Sequence, residues 1–150
     1  MRQPIKKAEI STNCGNQIPN KSNTAKDNFE KLIKNVDTNE VFCFNFGLGS
    51  QNFKTFINTG ESNEGESASI LRPKLHLELY PEITFEKKEE IEIKVYDELN
   101  ISGVNFICID TQGYELEALK GCKNSLKKID YIYTEVNRDY LYEENPLISD

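Results

Sequence analysis

Residues 105–121 read N-F-I-C-I-D-T-Q-G-Y-E-L-E-A-L-K-G, an apolar run followed at once by a turn and an amphipathic segment. The run Phe106–Ile109 is short, wholly apolar and ends in Asp110, which is typical of a central parallel strand with a polar group at its carboxyl end. Tyr114–Lys120 predicts a helix, because acids lie in its first turn, where the helix dipole favours anions, and Gly121 follows it. The stretch therefore predicts a strand, a turn and a helix in close succession.

A further strand is predicted at Tyr131–Glu135, which is also apolar and also ends in an acid. Strands joined by a short helical crossover run parallel, so the predicted fold class is α/β with a Rossmann-like sheet. Ligands of such sheets bind outside the carboxyl ends of the strands. Asn45, Asp110 and Glu135 each end a predicted strand, and we expect all three at that edge.

The part of the chain before this unit divides into a polar segment and a patterned one. Residues 1–25 are rich in Asn, Ser, Thr, Lys and Gln without apolar periodicity, which predicts a poorly ordered leader that folding does not need. Residues 26–150 are expected to form the domain. Within that domain the patterns predict an amphipathic helix, a buried strand, two alternating strands and a brief helix, respectively at Phe29–Val36, Val41–Phe46, Asn52–Asn58 with Ile91–Val95, and Leu75–Leu79.

The composition excludes several classes of partner. A net charge of -7 argues against nonspecific binding to nucleic acid or to anionic membranes, because both attract basic surfaces. The four cysteines have no C-x-x-C spacing and no histidine nearby, so no metal site is predicted. Free thiols and the lack of any long apolar stretch favour a reduced, cytoplasmic protein without a membrane span.

Three segments in order carry a family resemblance. Residues 105–121 resemble the signature of FkbM-family methyltransferases, an apolar strand ending in I-D, then a Q-G or E-G turn, an acid and L-K-G. Tyr131–Asn137 and the following Leu141-Tyr142 are similar to the strand and loop that come next in that family. Upstream, N-E-G-E-S-A-S at 63–69 with His76 resembles a subgroup motif, and Tyr96–Leu99 is similar to the family's L-D-x-L.

The resemblance implies transfer of a methyl group from S-adenosylmethionine to a hydroxyl of a sugar, lipid or polyketide-like small molecule. It also implies a class I methyltransferase sheet. A complete member carries D-x-G-x-N-x-G on an earlier strand and further elements after the matched region. Thr12–Asn16 has one glycine and no apolar strand before it, so we expect a domain truncated at both ends.

Nine residues are candidates for the site. Asp110 and His76 are the catalytic candidates, because a carboxylate or an imidazole can take a hydroxyl proton. The hydroxyl-bearing substrate is expected to meet Gln112, Glu115, Glu135, Ser67 and Ser69. The cofactor's adenine is expected near Asn45 and Phe46, at the end of the first apolar run.

Structural explanations stand beside these functional ones. Asp110 could instead cap the following helix through the amides of Gln112 and Gly113, and Phe46 could be a core residue. For the whole chain, the alternative to an enzyme is a noncatalytic fragment, or a module that a partner chain completes by filling its sheet. A carbohydrate-binding or scaffold α/β domain is a third alternative, with no motif in its favour.

Overall fold

A computed structural model describes residues 7–11, 25–37, 42–60 and 67–150. Two three-stranded sheets organise this part of the chain. The strands and helices, in chain order, are β1 (Lys7–Ser11), α1 (Ala25–Asn35), β2 (Gly47–Leu48), β3 (Phe53–Thr59), α2 (His76–Leu79), β4 (Lys87–Lys94), β5 (Phe106–Asp110), α3 (Glu115–Gly121) and β6 (Tyr131–Thr134), with 3-10 turns at Tyr96–Glu98 and Ser125–Lys128. The fold is therefore mixed α/β, as predicted.

The first sheet has the order β1-β5-β6, and both of its pairings are parallel. Strand β5 lies in the middle, which confirms the central parallel strand predicted from its apolar sequence. Its side chains alternate: Ile107 and Ile109 are fully buried, whereas the residues on its other face are half-buried. Burying two isoleucines contributes about 1.5 to 3 kcal/mol each. This strand therefore anchors the part of the sheet from which Asp110 emerges.

Strand β1 corrects the prediction of an unstructured leader. Lys7–Ser11 pairs with β5 along its whole length, with Ser11 opposite Asp110. The sequence K-A-E-I-S escapes a periodicity search because it is short and mostly polar. The segment Thr12–Asn16, which was compared with the family's glycine-rich cofactor motif, lies outside the described residues. A strand, β1, does come directly before it.

The second sheet has the order β2-β4-β3, in which β3 and β4 form a long antiparallel pair. Both of these strands were predicted. The buried strand predicted at Val41–Phe46 is wrong: only Gly47–Leu48 pairs with β4, and Phe42 is 82% exposed. The residues that pair with β4 are Gly47 and Leu48, which come directly after the apolar run. Phe46 nevertheless packs against the core.

The core lies between α3, β5 and the 3-10 turn at Tyr96–Glu98. Its fully or nearly buried members come from both sheets and from α3, and they are Leu48, Tyr96, Ile107, Ile109, Ala118 and Cys122. Helix α3 approaches the second sheet closely at Gly121, where a Cβ atom would lie 2.1 Å from the carbonyl oxygen of Gly49. Glycine is needed there because the obstacle is backbone and cannot rotate away.

Asp97, the acid of the L-D-x-L-like segment, has a structural role. Its carboxylate accepts hydrogen bonds from the backbone N–H groups of Asn124 (2.6 Å) and Ser125 (2.9 Å) and from Ser125 Oγ (2.6 Å). Burial acts to raise the pKa of Asp97, but these hydrogen bonds outweigh it and lower the pKa. Asp97 thus fixes the turn that leads into β6.

Strand β6 is more exposed than its apolar sequence predicted. Tyr131, Ile132 and Tyr133 are 57%, 47% and 64% exposed, because β6 is an edge strand with β5 as its one neighbour in the described sheet. No helix in the described part of the chain is long and apolar enough to cross a membrane.

Candidate active site

Asp110 emerges half-buried at the carboxyl end of β5. One carboxylate oxygen, Oδ1, accepts a hydrogen bond from the side-chain Nε2 of Gln112 over 2.8 Å. No described residue donates a hydrogen bond to the other oxygen, Oδ2. A carboxylate held on one side and open on the other can accept a proton or a hydrogen bond from a ligand hydroxyl.

The turn after Asp110 depends on two residues in the left-handed region, Gln112 (φ 51°) and Gly113 (φ 96°). The carboxylate of Glu115 stabilises this turn, because its Oε1 accepts hydrogen bonds from the backbone N–H groups of Thr111 (2.9 Å) and Gly113 (3.1 Å). Glu115 is 4% exposed. The alternative that Asp110 caps the helix is therefore wrong: Glu115 folds back from the first turn of α3 and takes the N–H of Gly113.

Ser67 and Ser69 form a wall against the same turn. Ser69 is fully buried, and its Oγ donates to the carbonyl oxygen of Gln112 (2.7 Å) while accepting from the N–H of Leu71 (3.1 Å). The carbonyl oxygen of Ser67 accepts a hydrogen bond from the hydroxyl of Tyr142 over 3.2 Å. The structure thus brings both predicted serines to the site, with the Ser69 hydroxyl already bonded to protein groups.

Glu135 follows β6 and joins Asp110 and Glu115 in one acidic group. Partial burial raises the pKa of the Glu135 carboxyl, and the negative charges of Asp110 and Glu115 raise it further. Because Glu135 is largely exposed, this repulsion is screened by solvent. Its position confirms that Asp110 and Glu135, at the ends of neighbouring parallel strands, lie at one edge of the sheet.

His76 is 5% exposed and is surrounded by aromatic rings. Its ring centroid lies 5.0 Å from that of Tyr80, 5.3 Å from that of Phe85 and 5.5 Å from that of Tyr142. Burial lowers the pKa of His76, with smaller opposing contributions from its own backbone and Glu82. The structure packs His76 against the ring of Tyr142 and gives it no hydrogen bond to Asp110, so its catalytic role stays a prediction.

The sequence profile described as methyltransferase FkbM domain matches residues 6–150. The chain belongs to the FkbM methyltransferase family. It is also 34% identical over 89 residues to the 2-O-methyltransferase NoeI of Sinorhizobium fredii (strain NBRC 101917 / NGR234), an alignment that covers 56% of the chain. The alignment spans 37% of that relative's length. No solved structure matches the chain.

The FkbM-family chain does not bring Asn45 and Phe46 to the Asp110 edge. Asn45 is exposed and precedes β2 in the other sheet. The ring of Phe46 lies 5.3 Å from that of Phe44 and carries Lys94 Nζ at 4.9 Å from its centroid, and it packs on the core. Core packing, the structural alternative, therefore describes Phe46, and the expectation that Asn45 shares the edge with Asp110 is wrong.

A surface groove of about 610 Å³ adjoins the aromatic cluster around His76, since Phe85 and Leu77 form part of its lining. Charged residues such as Arg72 and Glu143 also line it. Asp110 is not among its lining residues. The chemistry that the family requires is better supported at Asp110, where a carboxylate oxygen is open.

Sequence reasoning missed Tyr142 and Asn145 as parts of this site. Both are 1% exposed, and Asn145 Oδ1 accepts the backbone N–H of Tyr142 over 3.0 Å. The only signal was the similarity of Leu141-Tyr142 to the family, which marks a position but gives no contact. The described residues contain no group of three or more His, Cys, Asp or Glu side chains arranged to hold a metal ion.

Proposed function

We propose that this chain is an S-adenosylmethionine-dependent O-methyltransferase domain in which Asp110 receives the acceptor hydroxyl. The observation that carries the proposal is the Asp110 carboxylate at the end of a central parallel strand, with Oδ1 bonded to Gln112 and Oδ2 open. Family membership and the 2-O-methyltransferase relative support methyl transfer to oxygen. The parallel order β1-β5-β6 supports a Rossmann-like sheet with its ligands at this edge.

The acceptor side of the reaction follows from the described residues. A hydroxyl oxygen must lose its proton as it gains a methyl group, and a carboxylate within hydrogen-bond reach can take that proton. Asp110 is the base, and its open oxygen receives the proton. Gln112 and the Glu115-stabilised turn keep the carboxylate in place, which lowers the entropy cost of bringing the groups together. Sugar, lipid and polyketide-like hydroxyls are the acceptor classes that we propose.

The donor side is not explained by the residues first assigned to it. A donor such as S-adenosylmethionine supplies the methyl group. Asn45 lies exposed before β2 and Phe46 packs against the core, so their role as its contacts stays a prediction. The described residues therefore account for the hydroxyl side of the reaction. We also propose a reducing compartment such as the cytoplasm, because the described residues Cys43, Cys108 and Cys122 form no disulfide bond with one another.

The test is a transfer assay with S-adenosylmethionine that carries an isotopically labelled methyl group. The chain is incubated with a panel of mono- and oligosaccharides, lipid alcohols and polyketide-like alcohols, and each product is analysed by mass spectrometry. We expect label on an oxygen of at least one class of acceptor. Label on nitrogen or carbon only, or no label with a folded chain, would count against O-methyl transfer.

The structure also favours one alternative, a noncatalytic module completed by a partner chain. Its support is the exposed edge strand β6, whose residues Tyr131 to Tyr133 are all about half exposed or more. Exposed apolar edge strands readily pair with another strand. Calorimetry with S-adenosylmethionine separates the two, because the enzyme must bind this donor and a noncatalytic module need not. Absence of heat, together with concentration-dependent association seen by sedimentation, would favour the module.

A further inference from the structure

The hydroxyl of Tyr142 connects two segments that are distant in sequence. It lies 3.2 Å from Oε1 of Gln112 and 3.2 Å from the carbonyl oxygen of Ser67. Both of these atoms can only accept, so the tyrosine hydroxyl is the donor to each. One proton is therefore shared between the turn after Asp110 and the segment that begins at Ser67.

The carboxylate of Asp110 decides which way the amide of Gln112 points, and the Tyr142 hydroxyl holds the other end of that amide. An amide has an accepting oxygen and a donating nitrogen. With its oxygen facing the Tyr142 hydroxyl, Gln112 turns Nε2 towards Asp110 at 2.8 Å. The reverse orientation would place two acceptor oxygens against each other at that distance. Asp110 thus fixes the orientation of the Gln112 amide, and Tyr142 donates to Oε1 at the opposite end and holds the amide in place.

Tyr142 is itself held rigidly. Its backbone N–H is bonded to Asn145, and its ring packs on His76 with centroids 5.5 Å apart. On the other side lies Gly113, where an added Cβ would approach Tyr142 Cδ2 to 3.2 Å. A side chain fixed by packing and by a buried amide places its hydroxyl reproducibly, which is what preorganisation of a site requires.

The surroundings also keep this hydroxyl protonated. Burial raises the pKa of Tyr142, and the carboxylates of Glu115, Asp110 and Glu135 raise it further. The imidazole of His76, the remaining titratable group against the ring, is buried and its pKa is lowered, so it brings no positive charge near neutral pH. The hydroxyl of Tyr142 therefore stays protonated, and able to donate a hydrogen bond, near neutral pH.

We propose that Tyr142 is a positioning residue of this site: it holds the side chain of Gln112 in place, and Gln112 holds Oδ1 of Asp110 so that Oδ2 faces the acceptor hydroxyl. The proposal rests on the proposed function, because Asp110 must be the residue that meets the acceptor. Tyr142 contacts Gln112 and Ser67 and acts on Asp110 through Gln112.

The experiment compares Tyr142→Phe with Tyr140→Phe in the full chain. Tyr140 is 47% exposed and its ring lies against Lys74 Nζ, 5.3 Å from the ring centroid, so its variant controls for loss of a tyrosine hydroxyl. The first measurement is the side-chain amide spectrum by proton–nitrogen NMR. The sequence has four glutamines, and the Gln112 signal is assigned by its disappearance in Gln112→Glu. The second is kcat and KM for the acceptor.

We expect Tyr142→Phe to move the Gln112 amide signal towards that of an exposed glutamine, while Tyr140→Phe leaves it in place. We also expect kcat to fall about tenfold to hundredfold with little change in KM, the scale of a misplaced catalytic group. An unmoved Gln112 signal in a folded Tyr142→Phe variant would overturn the proposal. So would a change in KM alone.

A second variant, and the NMR measurement on its own, keep the test decisive if Tyr142→Phe does not fold or the chain shows no activity. If Tyr142→Phe does not fold, Gln112→Asn replaces it, since asparagine tolerates the positive φ of this position but is too short to bridge Tyr142 and Asp110. It should lower kcat by the same factor, and an unchanged kcat would overturn the proposal. If the unmodified chain transfers no methyl group to any acceptor, the proposed function fails, and the NMR comparison still decides whether Tyr142 holds Gln112 in place.

Discussion

The side-chain amide of Gln112 donates a hydrogen bond to Oδ1 of Asp110 over 2.8 Å. This contact is local in sequence but depends on a backbone with positive φ at Gln112 and Gly113. It leaves one oxygen of Asp110 open at the carboxyl end of the central strand. The site therefore depends on a turn that has to be stabilised independently of any ligand.

Glu115 provides that stabilisation, and its removal should be costly. Glu115→Ala leaves the buried N–H groups of Thr111 and Gly113 without an acceptor, and we expect a loss of about 1 to 3 kcal/mol in the free energy of unfolding. Glu90→Ala is the matched control, because Glu90 pairs with Lys54 on the exposed surface and its loss should cost clearly less. Urea titration measures both. Equal losses would show that the Glu115 contacts do not stabilise the turn.

His76 should make stability depend on pH between neutrality and mild acid. Burial lowers its pKa in the folded chain, so its contribution is complete above the unfolded value of about 6.5 and is lost as pH falls through the folded value. His76→Phe keeps a ring in the aromatic cluster and removes the titration. Because this is the only histidine, thermal unfolding between about pH 7 and pH 5 isolates it. A variant that loses as much stability as the unmodified chain over this interval would contradict the assignment.

Strand β1 should be needed for the stability of the first sheet, although its polar sequence predicted a segment that folding does not need. Deleting residues 1–11 removes the partner of β5 on one side and exposes its edge, whereas deleting residues 1–6 leaves the pairing intact. We expect the longer deletion to lower the melting temperature sharply and to promote aggregation, and the shorter one to do neither. Matching melting curves for the two deletions would mean that Lys7–Ser11 is not needed by the sheet.

The sequence predicts the central unit of this fold well, because its signals are local. The apolar run of β5, the acid that ends it and the helix α3 are all consequences of residues within a few positions of one another. Strand β1 was missed because K-A-E-I-S is short and mostly polar, and it pairs with a strand about 100 residues away. Its strand state depends on a partner that the segment does not specify.

Burial and side-chain networks were less predictable for the same reason. Tyr131–Thr134 has the composition of a buried strand but lies at a sheet edge, and only the strand order reveals this. The contacts of Tyr142 with Gln112 and Ser67 span 30 and 75 positions, so no motif links them. Asp110, Gln112 and Glu115 could be singled out from the local motif, but the contacts by which Gln112 and Glu115 hold Asp110 and its turn could not.

The most direct test of the Asp110 assignment is the rate of methyl transfer by Asp110→Asn, measured with the acceptor that the unmodified chain methylates. Asparagine keeps the shape of the side chain and an oxygen that can accept from Gln112, but it cannot take a proton, and unfolding experiments should show stability within about 1 kcal/mol of the original. Asp130→Asn, at the exposed start of β6, is the matched control for loss of an aspartate. We expect Asp110→Asn to slow transfer by about 10²-fold or more, the usual contribution of a general base, and Asp130→Asn to leave the rate unchanged. Equal rates for Asp110→Asn and the unmodified chain would contradict a catalytic role for this carboxylate.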